Sequence, residues 1–205
     1  MANPESRGNV SVRNRRLPHW EAEGAIYFVT FRLADSLPEA ILESRRWERE
    51  DIPKTAEMLQ RDLTWVEEQR MDELYGEQAQ VYLDHGEGAC QLRNPAIAGM
   101  VRDALLHFEG QRYHLLAWCI MPNHVHAIVC LLAGNKLSAI MHSWKSYTAK
   151  EANRLLRRKQ PFWQREYYDR MIRNQAELDH AISYVLDNPV TAGLEDWPWV
   201  GRNEK

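Results

Sequence analysis

A chain of 205 residues, with 44% hydrophobic and 10% aromatic residues, can bury the core of one domain without disulfides, which excludes a disordered protein. The net charge of −3 conceals two unlike regions: residues 35–89 carry fifteen acidic and six basic side chains, whereas residues 136–173 carry ten basic and three acidic ones. The basic region is typical of a surface that binds a polyanion, and equally of an ordinary solvated helix.

In the first half of the chain, the residue pattern predicts three elements: a buried strand at 25–33, a long helical stretch at 36–75 and a helix at 95–108. The dense charge of the second element predicts an acidic helical insertion at about 36–92. Asn94 and Pro95 are typical of a helix N-cap followed by proline at the first helical position.

In the second half, the pattern predicts five elements: strands at 113–121 and 124–132, a helix at 136–158, an aromatic strand at 162–172 and a short helix at 175–187. Pro122 and Asn123 form a tight turn, so the first two strands should pair as a hairpin. The long helix should pack through its apolar side: Leu137, Ile140, Trp144, Tyr147 and Leu155. Asn188-Pro189 should end the last helix, because the residue before proline avoids helical geometry.

Without the insertion, the first six elements follow the order strand, helix, strand, strand, helix, strand. This order predicts an α+β fold, a ferredoxin-like antiparallel sheet with two helices on one face and a further helix at the C-terminal end. We expect residues 1–205 to form a single domain.

We expect neither a targeting segment nor a membrane span. Residues 1–16 lack the apolar run of a signal peptide, and no stretch approaches the roughly 18 apolar residues that span a bilayer. Cys90, Cys119 and Cys130 have no CxxC spacing and predict reduced thiols rather than a zinc or redox site. These features predict a soluble, cytoplasmic protein.

The clearest chemical signal is the pair His124 and His126. Residues i and i+2 of a strand point to the same face, so the two imidazoles should project side by side, together with Ile128. Two neutral imidazoles are a natural ligand pair for a divalent cation, although an HxH pair also arises often by chance. Apolar residues on both faces predict that this strand is central in the sheet, with the histidines at one end.

Tyr184 and Asn188 give a second signal, because a spacing of four places them on one face of a helix. Two imidazoles and an amide oxygen could hold a metal with open positions, and a tyrosine one turn away could reach a phosphate bound there. Phosphoryl transfer needs mainly positioning and charge neutralisation. The same two residues are also typical of a core tyrosine and an ordinary helix end.

Four sequence blocks follow one another along most of the chain: LPHWEAEGAIYFVTFRLADSLP (17–38), AWCIMPNHVHAIV (117–129), FWQREYYDRMIR (162–173) and YVLDNPVTAGL (184–194). In content and order they resemble the signature blocks of the REP-associated tyrosine transposases, relatives of the single-tyrosine HUH transposases of bacterial insertion sequences. The resemblance implies a ferredoxin-like domain that cleaves and rejoins single-stranded DNA. The implied substrates are hairpins from repetitive extragenic palindromes (REP elements).

Carried onto this chain, the resemblance makes His124 and His126 ligands of Mg²⁺ or Mn²⁺ and Tyr184 the nucleophile. Asn188 takes the position of the third ligand, which is a glutamine in some relatives. Tyr184 would form a 5′-phosphotyrosine intermediate and release a 3′ hydroxyl. The acidic insertion is longer than in the most compact relatives, and its role is open.

DNA contacts are expected from basic and aromatic side chains. The candidates for phosphate contacts and base stacking are Lys145, Lys150, Arg154, Arg157, Arg158, Trp163 and Tyr167. The three arginines near the start of the chain are expected to enter a groove as a basic arm: Arg13, Arg15 and Arg16. Tyr167 and Tyr168 are interpreted as packing or stacking residues, because neither lies four residues from a ligand-type side chain. His180, one turn before Tyr184, is expected to be exposed.

Two other functions fit the same sequence. A hairpin-binding regulator that no longer cuts DNA would keep binding after chelation and after loss of Tyr184. A zinc hydrolase would complete the HxH pair with His107, His114 or His142, and would form no covalent adduct with DNA. The active unit is expected to be a monomer or a homodimer.

Overall fold

The computed structural model describes residues 11–15, 17–21, 24–36, 39–64, 67, 70 and 88–203. In chain order the elements are β1 (Ser11–Arg15), β2 (Leu17–Glu21), β3 (Ile26–Arg32), α1 (Glu39–Met58), a 3-10 turn (Gln91–Arg93), α2 (Pro95–Leu106), β4 (Tyr113–Ile120), β5 (His124–Leu131), α3 (Leu137–Leu155), β6 (Tyr168–Ile172), α4 (Gln175–Thr191) and β7 (Val200–Arg202). Within these residues, no helix has both the length and the apolar composition that crossing a bilayer requires.

The central sheet has five strands in the order β6-β3-β5-β4-β7, and every neighbouring pair is antiparallel. The prediction of a ferredoxin-like α+β fold is confirmed, with β7 added at one edge. The prediction that the histidine strand is central is also confirmed, because β5 is the third of the five strands. The turn at Pro122 and Asn123 closes the β4–β5 hairpin through a bond from Met121 N to His124 O of 2.8 Å.

The two faces of the sheet pack against different helices. On one face, alternate residues of β3 and β5 form the larger core together with α2 and α3. On the other face, Ile182 and Val185 of α4 pack against Ala117, Cys119 and Ile128. The helix that carries the candidate tyrosine therefore lies across the sheet from α2 and α3.

A chain of buried hydrogen bonds fixes α3 in the larger core. Trp144 Nε1 donates to the Tyr113 hydroxyl at 2.9 Å, and this hydroxyl donates to Leu105 O at 2.6 Å. Trp163 Nε1 donates to Thr148 Oγ1 at 2.8 Å, and this hydroxyl donates to Trp144 O at 2.6 Å. Burial raises the pKa of Tyr113 to about 12, so its hydroxyl stays protonated and can donate its hydrogen bond to Leu105 O.

The ends of the predicted insertion lie side by side. Ala89 N donates to Asp35 Oδ2 at 3.0 Å, so the chain leaves the sheet and returns at neighbouring points. Within this segment, Trp47 and Met58 are 70% and 84% exposed, whereas Ala56 is buried. Of the helical stretch predicted at 36–75, α1 covers Glu39–Met58, and residues 59–64 are turn and coil instead. Residues 67 and 70 are again helical, and 71–75 lie outside the described residues.

Pro189 does not end the last helix, as the sequence predicted, since α4 continues to Thr191. The helix ends two residues later, where Ala192 N bonds to Asn188 O and Gly193 takes a left-handed φ of +69°. Proline costs the helix one backbone bond, and packing of the buried Pro189 offsets this loss. Asn188 therefore lies inside the helix, on the same face as Tyr184.

Two further predictions need correction. In α3, Tyr147 and Leu155 are 54% and 42% exposed, because Met141, Thr148 and Ala152 occupy the buried stripe instead. The aromatic strand predicted at 162–172 is a strand only from residue 168, preceded by an isolated bridge at residue 163.

The predicted basic arm is partly a strand, because Arg13 and Arg15 lie in β1, which pairs with β2. Arg16 lies outside the described residues. The three cysteines are free thiols as predicted, and burial raises the pKa of Cys119 to about 12, which leaves this thiol unreactive.

Candidate active site

The two histidines meet at the start of the central strand. His124 opens β5 and His126 follows two residues later, so both side chains face α4, as the strand period predicted. Both are almost completely buried, and their Nε2 atoms lie 2.9 Å apart. Two imidazoles are thus directed at one point within the protein.

Each imidazole is oriented through its other nitrogen. His124 Nδ1 lies 2.8 Å from Asn123 Oδ1, which only accepts, so this nitrogen carries the proton and Nε2 keeps its lone pair. His126 Nδ1 lies 2.7 Å from Thr30 Oγ1, directly across the β3–β5 pairing. The consistent network has the Thr30 hydroxyl donating to His126 Nδ1 and His126 Nε2 donating to His124 Nε2 at 2.9 Å. A move of the His126 proton to Nδ1 would direct both Nε2 lone pairs at one point, and that arrangement fits a shared cation.

Both histidines are held neutral. Burial lowers the pKa of His124 well below its usual value, and the nearby His126 and Arg32 lower it further. Burial, followed by the charge of Arg32, lowers the pKa of His126 to about 3. Neutral imidazoles are the form that binds metal ions, so the pair is ready to act as ligands at physiological pH.

α4 brings the candidate nucleophile to the histidine pair. The Tyr184 ring meets the His126 ring edge to face, with centroids 5.5 Å apart and an interplanar angle of 71°. It meets Phe28 in the same way at 5.9 Å. Tyr184 is only partly buried.

Asn188 lies one helical turn beyond Tyr184 and is 4% exposed. Among the described residues, none hydrogen-bonds to its Oδ1, although that atom is buried. A buried acceptor without a partner costs about 1–3 kcal/mol and calls for an explanation. Two converging imidazole nitrogens and an amide oxygen without a partner fit an Mg²⁺- or Mn²⁺-type ion, so His124, His126 and Asn188 are the residues that could hold it.

The third histidine that a zinc hydrolase would need is not at the site. His107, His114 and His142 are exposed. Within the part of the chain that the structure describes, no cluster of three or more His, Cys, Asp or Glu side chains is suited to a metal ion. His180 is exposed on α4, as expected.

The basic residues predicted to bind DNA lie on the other face of the sheet. Lys150, Arg154 and Arg157 are exposed on or just after α3, which packs into the larger core and not beside the histidines. Arg154 is paired with Glu151 at 2.8 Å, and Arg158 is half-buried beside the Phe162 ring. The structure therefore does not bring this group together with Tyr184.

Three of the predicted DNA contacts have structural partners instead. Trp163 is 6% exposed in the larger core, so the prediction that it stacks on DNA bases is wrong. Lys145 Nζ donates to the main-chain oxygens of Arg165 and Glu166 at 2.7 and 3.3 Å, and burial lowers its pKa to about 8. Tyr167 packs partly against the same core.

Sequence reasoning did not identify Arg32, which lies directly opposite His124 in the β3–β5 pairing. Its positive charge acts on both histidines. The available signal was the sequence of β3, where Phe28, Thr30 and Arg32 alternate with buried apolar residues. In a ferredoxin-like order the first and third strands are neighbours, so these side chains had to face the histidine side or the larger core.

The chain is similar to known proteins. Residues 93–188, which contain all four candidate site residues, match the family described as "Transposase IS200 like". The "Putative REP-associated tyrosine transposase" of Haemophilus influenzae is 27% identical over 105 residues, which cover 44% of this chain and 60% of that protein. The "REP-associated tyrosine transposase" of Escherichia coli K12 is 28% identical over 105 residues, which cover 49% and 61%. The match thus spans about three fifths of each relative's length.

A solved structure shares the fold. It is described as "Structure of the REP associates tyrosine transposase bound to a REP hairpin", and the match covers 93% of this chain and 82% of that one, with a TM-score of 0.52 and 17% identity. At this identity the likeness shows the fold alone. The resemblance predicted from the sequence blocks is confirmed: the chain is similar to two proteins named as REP-associated tyrosine transposases, and its residues 93–188 match the family described as "Transposase IS200 like".

Proposed function

We propose that this protein cleaves and rejoins single-stranded DNA, with Tyr184 as the nucleophile and a divalent cation held by His124, His126 and Asn188. The observation that supports this best is the convergence of the two Nε2 atoms at 2.9 Å beside the Tyr184 ring. The buried Asn188 Oδ1 without a partner, one turn further along α4, adds a third donor of the right type.

Different residues of the chain have different roles in the proposed reaction. Asn123 and Thr30 fix the imidazole rings, and burial keeps both rings neutral. When bound, Mg²⁺ or Mn²⁺ would polarise a phosphate oxygen and neutralise charge that develops on it. α4 holds the Tyr184 phenol in place for attack, so less entropy is lost on reaching the reactive geometry.

The covalent steps conserve the phosphodiester energy. A bond forms between Tyr184 Oη and phosphorus, the bond from phosphorus to the 3′ oxygen breaks, and the phenolic proton is lost while the leaving 3′ oxygen gains a proton. A 3′ hydroxyl then attacks the 5′-phosphotyrosine, restores a phosphodiester and releases the tyrosine. No high-energy cofactor is needed.

The proposed substrate is a hairpin with single-stranded flanks, of the kind formed by REP elements. The support is similarity: the curated relatives are named REP-associated tyrosine transposases, and the solved structure with the same fold is described as bound to a REP hairpin.

A denaturing gel tests the nucleophile. Hairpin oligonucleotides labelled at the 3′ end are incubated with wild type, Tyr184→Phe and Tyr147→Phe, with Mg²⁺ or with chelator. Because the tyrosine joins the 5′ phosphate, the 3′ label should migrate with the protein for wild type and Tyr147→Phe in Mg²⁺ only. Tyr147 is an exposed tyrosine on α3 and serves as the control. A wild type that binds hairpins but leaves no label on the protein would favour the regulator, and an adduct with Tyr184→Phe would exclude Tyr184 as the nucleophile.

A further inference from the structure

The face of the sheet that carries the histidines is only partly covered. Along β3, Tyr27, Val29 and Phe31 are buried in the larger core, whereas the alternate side chains are partly exposed on the histidine side. α4 packs mainly over β4 and β5, so the part of this face formed by β3 and β6 is more open. We call this part the β3–β6 strip, formed by Phe28, Thr30, Arg32, Tyr168 and Arg170.

Strand pairing places these side chains on one surface. In an antiparallel sheet, directly opposite residues project to the same face. Tyr168 is opposite Thr30, and Arg170 is opposite Phe28. Thr30 is in turn opposite His126. The strip therefore begins at the histidine pair and leads away from it towards the β6 edge of the sheet.

The chemistry of the strip differs from that of an ordinary solvated sheet face. The Tyr168 ring meets Phe28 edge to face at 6.2 Å, and both rings are only partly buried. Arg170 is exposed, and Arg32 is half-buried beside the histidines. Aromatic rings next to cationic side chains form the usual surface for unpaired bases and their phosphates.

The position of Arg32 points to an anion at the site. Arg32 lies directly opposite His124, so its positive charge stands at the end of the strip that meets the histidine pair. A phosphate fits this role, because a planar guanidinium can bind two phosphate oxygens at once. The basic residues of α3 cannot supply this contact, since α3 packs on the opposite face.

We propose that the β3–β6 strip is the track along which a single DNA strand reaches the histidine pair. Arg32 binds the phosphate next to the pair, the Tyr168 ring stacks on an unpaired base, and Arg170 binds a further phosphate. The inference rests on the proposed function in taking single-stranded DNA as the substrate, but it concerns binding and does not require cleavage.

Fluorescence anisotropy tests the track without the chemistry. The full chain with Tyr184→Phe is titrated into a labelled single-stranded oligonucleotide and into a labelled hairpin with single-stranded flanks, in chelator and at several salt concentrations. Arg32→Gln, Tyr168→Leu and Arg170→Gln are added to this background. The matched controls are Arg102→Gln on α2, whose side chain is 42% exposed, and Tyr147→Leu on α3, which is 54% exposed. Both helices pack on the opposite side of the sheet.

Each strip variant should weaken binding about 5- to 10-fold, at the low end of the range for loss of one stacked base or phosphate contact. The arginine variants should also lower the slope of log affinity against log salt by about 0.7, the value for one phosphate of a single strand. The controls should bind within about twofold of the parent. Arg32→Lys should keep the salt slope, which separates loss of charge from misfolding.

Strip variants that bind like the parent, or controls that weaken binding while the strip variants do not, would overturn the inference. These outcomes are distinct from failure of the proposed function, which is judged by the covalent adduct of the wild type. If the wild type forms the covalent adduct but the strip variants bind DNA like the parent, only the track is refuted. If the strip variants bind DNA more weakly but the wild type forms no covalent adduct, the track is supported and the proposed strand transfer is refuted.

Discussion

The buried histidine pair should make the metal-free protein sensitive to acid. A histidine whose pKa is lowered by folding binds its proton only in the unfolded chain, so stability is complete above about pH 6.5 and falls as the pH drops below it. For His126, with a folded pKa of about 3, lowering the pH from 7 to 5 should cost about 2 kcal/mol. His124 adds a loss of the same sign.

The assay is urea unfolding in chelator at pH 7, 6 and 5, with wild type, His126→Gln and His180→Gln. The substitution of His126 changes the absolute stability, so the informative quantity is the change in unfolding free energy with pH. The His126→Gln slope should be smaller than the wild-type slope by about 1.2 kcal/mol per pH unit between pH 6 and 5, close to the full linkage of one proton. His180 is exposed on the same helix as Tyr184, and its replacement should leave the slope unchanged.

The reasoning would be refuted by equal slopes for wild type and His126→Gln. That result would mean that His126 is protonated in the folded protein at pH 5, which a neutral, buried ligand pair does not allow. An equal decrease in the pH dependence of the unfolding free energy in His180→Gln would also refute the reasoning, because the effect would then not come from the buried histidine pair.

Three further substitutions test the site and the core. Asn188→Leu should weaken Mn²⁺ binding on the order of tenfold in isothermal titration calorimetry, because it removes the proposed oxygen ligand, whereas Asn188→Asp should retain binding. Tyr113→Phe should lower the free energy of unfolding by about 1–3 kcal/mol in urea titration, because it leaves the buried Trp144 Nε1 without an acceptor. Gly201→Ala should lower the melting temperature and cost about 1–3 kcal/mol, since its Cβ would lie 2.7 Å from the buried Trp118 ring.

For each of these substitutions, one result would contradict the prediction. Unchanged Mn²⁺ affinity in Asn188→Leu would remove Asn188 from the ligand set. Tyr113→Phe should be compared with Tyr147→Phe at an exposed position, and equal stabilities would mean that the buried hydrogen bond contributes nothing. Gly99→Ala is the control for Gly201→Ala, because its Cβ would meet Trp199 at an ordinary 3.5 Å.

Local periodicity was enough to predict the centre of the site. The two-residue period of a strand placed His124, His126 and Ile128 on one face of that strand. The helical period placed Tyr184 and Asn188 together on one face of a helix. These relations depend only on backbone geometry, so they hold whatever the rest of the fold does. The order of strands and helices likewise followed from the hydrophobic pattern.

Relations between distant segments were not accessible in the same way. Both faces of β5 are apolar, so the pattern does not reveal that the histidines face α4, whereas the basic residues of α3 lie on the opposite side of the sheet. Arg32 was missed because its approach to His124 depends on the register between two strands far apart in sequence. Pro189 was interpreted from local preference, which the packing of α4 overrides.

The two ends of α4 are tied to opposite edges of one sheet. The helix follows β6 at one edge and precedes β7 at the other, where Ile120 N bonds to Trp199 O at 2.8 Å and Trp197 Nε1 bonds to Ile120 O at 2.7 Å. These bonds anchor the segment that follows α4 to β4 and hold the helix over its own sheet. If Tyr184 carries a DNA end, that end stays next to the histidines of the same chain. The exchange of strands then requires the nucleic acid to move.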